Sequence, residues 1–206
     1  MPNWCWNNLT VTGDEKQLQD FVEKSMSTYD DGTERFIFNG THPMPEDLNI
    51  TKGTQTQDEK EQAILNKAKY GYTDWYDWHL GEWGTKWDAC ESYINNNDIH
   101  YFSVSFDTAW APPINWLINI AMDYPDLEFE LEYEEPGMCF GGTFTIQGDD
   151  GQDAQWDLDA ASECCNAEVS FDDDYEAKCL VCGEETETIS INVADIKPAK
   201  IKANEN

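Results

Sequence analysis

Cys179-Leu180-Val181-Cys182-Gly183 is a C-x-x-C-G string, the spacing at which two thiolates turn toward one tetrahedral ion. Cys164 and Cys165 lie upstream and would complete a zinc site. Because these two are adjacent rather than spaced as a second C-x-x-C, plain reduced thiols are the competing reading. The other patterned residues are carboxylates. Glu128, Glu130, Glu132 and Glu134 alternate with Leu127, Phe129, Leu131 and Tyr133. A strand here puts the four acids on one face, roughly 6.8 Å apart at about 3.4 Å of rise per residue. That spacing can imitate a row of phosphates, although a solvated sheet face gives the same alternation. Asp149, Asp150, Asp153, Asp157 and Asp159, then Asp172, Asp173, Asp174 and Glu176, extend the acidic surface and complete the candidate partner-binding set.

No catalytic constellation accompanies them. The aspartates of residues 149–159 resemble a calcium loop in composition but lack its ordered D-x-D-x-D-G. His42, His79 and His100 are far apart, and none has a Ser or Cys partner at a familiar spacing. Carboxylate pairs suited to hydrolysis carry no information in a chain with 42 acids. We therefore expect no catalytic residues. The string Trp83-Gly84-Thr85-Lys86-Trp87-Asp88 suits either a recognition surface or a loop crossing, for which burial of Trp is explanation enough.

The 206 residues carry 42 acids against 12 bases, a net charge of −30, and no Lys or Arg lies between Lys86 and Lys178. Such a chain repels nucleic acid and anionic lipid and bears a self-repulsion that invites a functional explanation. Nine Trp supply a core that a disordered acidic chain would lack. There is no apolar run of about 18 residues, and Met1-Pro2-Asn3-Trp4 does not open a signal peptide, so a cytoplasmic location is expected. Seven cysteines, an odd number, point to thiols rather than a disulfide framework.

Alternation predicts strands over residues 4–12, 36–38, 102–106, the hairpin 127–146, and 189–193. Helices are predicted after Asp14 with Leu18, Phe21 and Val22 on one face, and after the Thr56/Glu59 capping box with Ala63, Ile64 and Leu65 as an apolar face. A short helix after Asp74 and one after Pro112-Pro113 complete an α+β chain. Its expected organisation is a core over residues 1–148, an acidic Cys-containing insertion over 149–187, a closing strand over 188–196 and a mobile tail over 197–206.

Three blocks carry a resemblance. Met1-Pro2-Asn3-Trp4-Cys5 with Leu9, Val11 and Gly13, the string of residues 83–88, and Phe106-Asp107-Thr108-Ala109-Trp110-Ala111-Pro112-Pro113 are similar to the YubB-like, ferredoxin-like domain proteins of phages and plasmids. Glu132, Glu135 and Gly137 before Phe140-Gly141-Gly142 also fit. The resemblance spans residues 1 to about 147. It implies a ferredoxin-like antiparallel sheet packed on helices and an origin in a phage or other mobile element, and it transfers no catalytic residue.

Charge and resemblance together favour a phage-encoded acidic inhibitor that mimics nucleic acid. It would occlude the basic site of a host nucleic-acid-binding protein or defence enzyme in the host cytoplasm, without binding nucleic acid or membrane itself. A ferredoxin-like module that stacks single-stranded bases is the alternative, weakened by the missing basic footprint. A nucleotide- or metabolite-binding protein or metal-dependent enzyme is a third reading, with no phosphate-cradling loop behind it.

Overall fold

Residues 2–29, 32–164, 166–171, 176–182 and 184–196 are described in the computed structural model. Cys165, Asp172, Asp173, Asp174 and the tail expected over 197–206 lie outside them. By internal contacts the chain divides into one unit of Met1–Glu135 with Thr143–Ala154 and a second of Pro136–Gly142 with Gln155–Asn206.

In the first unit, strand β1 (Trp4–Gly13) leads into helix α1 (Glu15–Ser25), capped by Asp14, whose carboxylate accepts from the N–H groups of Lys16 and Gln17. Only glycine fits position 13: its φ is +141°, and a Cβ there would meet the Asp126 carbonyl oxygen at 2.2 Å. A two-strand ribbon, β2 (Met26–Thr28) with β3 (Glu34–Phe36), follows. The strand expected over 36–38 ends at Phe36, and Phe38 lies in a turn whose Phe38 and Asn39 N–H groups donate to Asp88 at 2.6 and 3.2 Å.

Helix α2 (Gln57–Tyr70) starts at the anticipated capping box, with Thr56 and Glu59 bonded reciprocally, and stops at Gly71, whose φ is +83°. Its expected apolar face is a miss. Ile64 and Leu65 are 71% and 63% exposed, and the helix is held instead by buried Asn66, whose amide donates to the Asp47 and Thr73 carbonyls at 2.7 and 3.3 Å. Asp74 caps α3 (Trp75–Trp78), which continues as a π-helical turn over His79–Trp83.

Strands β4 (Cys90–Asn97) and β5 (Tyr101–Ala109), helix α4 (Ile114–Ala121) and strand β6 (Leu127–Glu135) complete a β-α-β-β-α-β series with α1 and β1. The sheet order β6-β1-β5-β4, all antiparallel, is that of the ferredoxin-like fold. β7 (Phe140–Gln147), β8 (Asp150–Ser162) and β11 (Thr188–Asn192) extend the order beyond β6 to seven strands. β9 (Val169–Phe171) and β10 (Ala177–Cys179) form a separate hairpin in the second unit.

The core of the first unit lies where α1 and α4 cover one face of the sheet. Leu9, Val11, Phe102, Val104, Phe106, Phe129 and Leu131 meet Leu18, Phe21, Trp116, Leu117 and Ile120, all 0–2% exposed. Phe21 sits within 5.4–6.5 Å, ring centre to ring centre, of Phe36, Phe102, Trp116, Tyr124 and Phe129. The residues that alternate with these core positions form the uncovered face.

Candidate interaction face and candidate metal centre

On β6, Leu127, Phe129, Leu131 and Tyr133 are buried, Glu128, Glu130 and Glu132 are exposed, and Glu134 is half-buried. Across the ladder these acids stand opposite Thr12, Thr10, Asn8 and Trp6 of β1, so no carboxylate on β6 directly opposes another there. Asn8 donates to Glu132 Oε2 at 3.3 Å and accepts from Asn95 Nδ2 at 3.1 Å and Ser105 Oγ at 3.3 Å. This makes a polar strip over β4, β5, β1 and β6. None of β1, β4, β5 and β6 contains Lys or Arg.

One end of the face is aromatic. Trp6 stands in register between Asp107 of β5 and Glu134 of β6. Trp4, Trp6 and Trp110 are 41%, 43% and 40% exposed. Trp4 and Trp87 pack with ring centres 6.0 Å apart, and the Lys86 ammonium lies 4.4 Å from the Trp87 ring centre and 5.1 Å from that of Trp110. Trp110 adopts φ +73°, a conformation uncommon for a bulky residue, and its N–H donates to the Asn3 carbonyl at 3.0 Å. The string of residues 83–88 therefore divides. Trp83 is buried against His79, ring centres 4.1 Å apart, Asp88 holds the 38–39 turn, and Lys86 and Trp87 belong to the surface cluster.

Burial, then Glu91, raises the Asp107 carboxyl above its ordinary range, and burial, then Glu132, does the same to Glu134. Burial also raises Asp88 despite the N–H groups that favour its anion. A carboxyl raised in the folded state binds its proton more tightly there, so its effect is to lower stability as pH climbs through the folded pKa. Asp20, Asp47, Glu59 and Asp77 are lowered, first by Lys24, Lys69, Thr56 and Lys52 respectively, and lose their contribution only as pH falls through the lowered values. Burial lowers the His79 imidazole as well, and that contribution is lost as pH falls below the ordinary imidazole range, so it opposes the raised carboxyls on mild acidification.

The remaining carboxylates are distributed more widely. Gly148-Asp149 is a two-residue hairpin turn with glycine first at φ +57°, which leaves the aspartates after it in a strand. Asp153 accepts from the Tyr133 hydroxyl at 2.7 Å, on the face opposite the β6 glutamates, while Asp150 alternates to the other side. In the second unit Asp157 and Asp159 are exposed on either side of buried Leu158, and exposed Glu176 precedes β10. Asp172, Asp173 and Asp174 fall outside the described residues.

His42 and His79 have structural surroundings, while His100 is exposed. His42 pairs with Glu82 at 3.1 Å, and Glu82 also accepts from Tyr72 at 2.7 Å and Asn119 at 3.1 Å. This cluster ties the π turn to α4. His79 engages the Lys86 carbonyl at 2.8 Å.

The second unit brings three of the four anticipated thiols together. The Sγ atoms of Cys164, Cys179 and Cys182 lie within 4.8 Å of one another, with Cys164 and Cys182 3.6 Å apart. Cys179 is buried and the other two are exposed. The cluster can hold a metal ion; Cys165 lies outside the described residues.

A family model described as the ferredoxin-like domain in Api92-like protein matches residues 82–192, more than half of the chain. The chain belongs to that family. The part of this Api92-like chain that is matched holds β4, β5, α4 and β6 to β11 but not β1, the strand that separates β5 from β6. Among solved structures, a crystal structure of a protein api92 from Yersinia pseudotuberculosis is similar over 75% of this chain and 98% of its own, with 9% identity and a TM-score of 0.47. No curated protein matches. Among the described residues, no helix is long and apolar enough to cross a membrane.

Proposed function

We propose that the uncovered face of the first unit docks on a basic, nucleic-acid-binding surface of another protein and keeps nucleic acid off it. As the YubB-like resemblance implies, the chain would be encoded by a phage or other mobile element, and its target would be a host nuclease, polymerase or defence enzyme in the host cytoplasm. The observation that carries this reading is the β6 row Glu128, Glu130, Glu132 and Glu134, solvent-facing in a sheet without a single Lys or Arg. Alternate carboxylates at roughly 6.8 Å spacing can meet the Lys and Arg that would otherwise hold phosphates. Encounter would be accelerated by the net charge of −30 and slowed by salt. Trp6, between Asp107 and Glu134, offers an aromatic platform with carboxyls on both neighbouring strands, a setting that suits an Arg or Lys side chain.

The test is capture from a bacterial lysate at low salt, elution at high salt, and a nucleic-acid-binding assay on the eluted protein. The reading expects a basic nucleic-acid enzyme whose binding to DNA or RNA is displaced by this chain. A gel shift in which this chain itself retains single-stranded DNA would overturn it in favour of base stacking on the Trp4, Trp87 and Trp110 cluster.

A further inference from the structure

The strand pairing of the second unit converges on its three thiols. β11 pairs with β8 up to Thr188 opposite Ser162, and the next N–H along, that of Glu163, donates to the Glu187 carbonyl at 3.0 Å. Cys164 follows at once. From the other direction, β10 places Cys179 opposite Val169 of β9, and the chain then folds back so that the Cys179 N–H meets the Glu184 carbonyl at 3.0 Å and the Thr186 N–H meets that of Ala177 at 3.0 Å. The turn closed by these bonds carries Cys182. Two segments of the chain thus present sulfur to one point, both held by backbone bonds to the same stretch, residues 184–188.

The distances suit one ion. Four thiolates at about 2.3 Å from a tetrahedral zinc have their sulfurs about 3.8 Å apart, and the observed Cys164–Cys182 separation is 3.6 Å. A disulfide would require about 2.05 Å. The unit's composition supplies a second, independent reason. Its buried apolar side chains among the described residues are Leu158, Ala161, Ala167, Ala177 and Cys179, while Phe171 and Leu180 are 54% and 41% exposed. A core made largely of alanine is too small to order a strand-and-turn unit of this kind, and small units of that sort are held by a disulfide or a metal. The donor set decides which metal. Thiolates are soft ligands that oxygen-seeking Ca²⁺ and Mg²⁺ do not choose, and sulfur at tetrahedral spacing is the arrangement of structural zinc.

We propose that Cys164, Cys179 and Cys182 are three of the four ligands of a structural Zn²⁺ that staples the β9–β10 hairpin to the end of β8. Each thiol gives its proton to the buffer as its sulfur bonds the metal, so affinity falls as the solution is acidified. This is independent of the docking face, which lies in the first unit.

The experiment uses the full chain without a histidine tag, purified in the absence of chelator. Elemental analysis should find about one zinc per chain, and the Cys179→Ser/Cys182→Ser double variant should carry less than about a tenth of that, as expected from deleting two ligands. Because that variant could fail to fold, the metal-stripped wild-type chain is titrated with Co²⁺. Thiolate-to-metal charge-transfer absorption in the near ultraviolet should saturate at one equivalent and be displaced by Zn²⁺. Hydrogen exchange at residues 169–171 and 177–179 should speed up on stripping and recover with Zn²⁺. Absence of zinc in the purified chain together with no thiolate–Co²⁺ band overturns the proposal. A Cys164–Cys182 disulfide found by alkylation and mass analysis of freshly purified protein does so too.

Discussion

Reversing Glu128, Glu130 and Glu132 to Lys together is expected to weaken binding to the basic partner by about 100-fold or more while leaving the fold intact. The three side chains are exposed and share one face, so a partner that reads this row meets three cations where it met three anions. Like charges brought together across an interface cost several kcal/mol, so the effect should exceed what removal of one rim charge produces. Stability should move in the opposite sense. Each reversal adds two units of charge, taking the chain from −30 to −24 and relieving self-repulsion, against which stands the 3.3 Å hydrogen bond from Asn8 to Glu132 that the variant cannot make. Binding measured by calorimetry and melting measured on the same samples separate the two effects. A triple variant that binds as tightly as the parent with an unchanged Tm would show that the row is merely a solvated sheet face. One that binds weakly because it has unfolded would be recognised by its melt.

The row was legible because the two faces of β6 differ so sharply: one residue is buried and the next is wet, and period two is then visible in the sequence itself. Neighbouring strands hide the same geometry. Cys90–Asn97 has register shifts between Cys90 and Tyr93 and again between Ile94 and Asn96, and its polar Asn run has no apolar phase to read. In β8 the aspartates mask a strand whose buried markers are Leu158 and Ala161. Which side of the sheet Asp153 takes depends on the hairpin before it, and only the Tyr133 hydroxyl bond settles that. The zinc-type spacing of Cys179 and Cys182 is local and readable, whereas the approach of Cys164 depends on β8 pairing with β11, across about thirty residues of chain.

The Trp83–Asp88 region shows why tryptophan-rich strings resist a single reading. Trp83, at 2% exposure, donates from its indole to the His42 carbonyl at 3.1 Å, which anchors the π turn, while three residues later Lys86 rests on half-buried Trp87 and exposed Trp110. The positive φ of Gly84, +84°, lets the chain leave the turn between these two environments. Packing and surface display are thus consecutive uses of one segment. Trp4 and Trp6 gain their exposure the same way, by alternating on β1 with buried Cys5 and Asn7.

Trp116→Ala is expected to destabilise the first unit by about 3–5 kcal/mol, the range for removing a large buried aromatic side chain. That is a large part of the roughly 5–15 kcal/mol that holds a typical domain. Trp116 is fully buried on α4, its ring centre lies 4.7 Å from that of Phe38 and 5.7 Å from that of Phe36, and its indole N–H donates to Thr41 Oγ1 at 3.0 Å. The cavity would open between α4 and the turn at residues 38–41, which is otherwise tied by Asp88 accepting from Phe38 and Asn39 and by Thr41 bonding back to Phe38. Trp116→Phe keeps most of the ring volume and loses the indole bond, so it should fall between parent and alanine. Denaturant unfolding followed by the near-ultraviolet signal reports the order. If alanine there came within about 1 kcal/mol of the parent, α4 would not be packed on this aromatic layer, because a fully buried indole cannot be removed so cheaply from a close-packed core. The uncovered face across the sheet would then lose its footing, since the helix-bearing face opposite is what forces the β6 glutamates toward solvent.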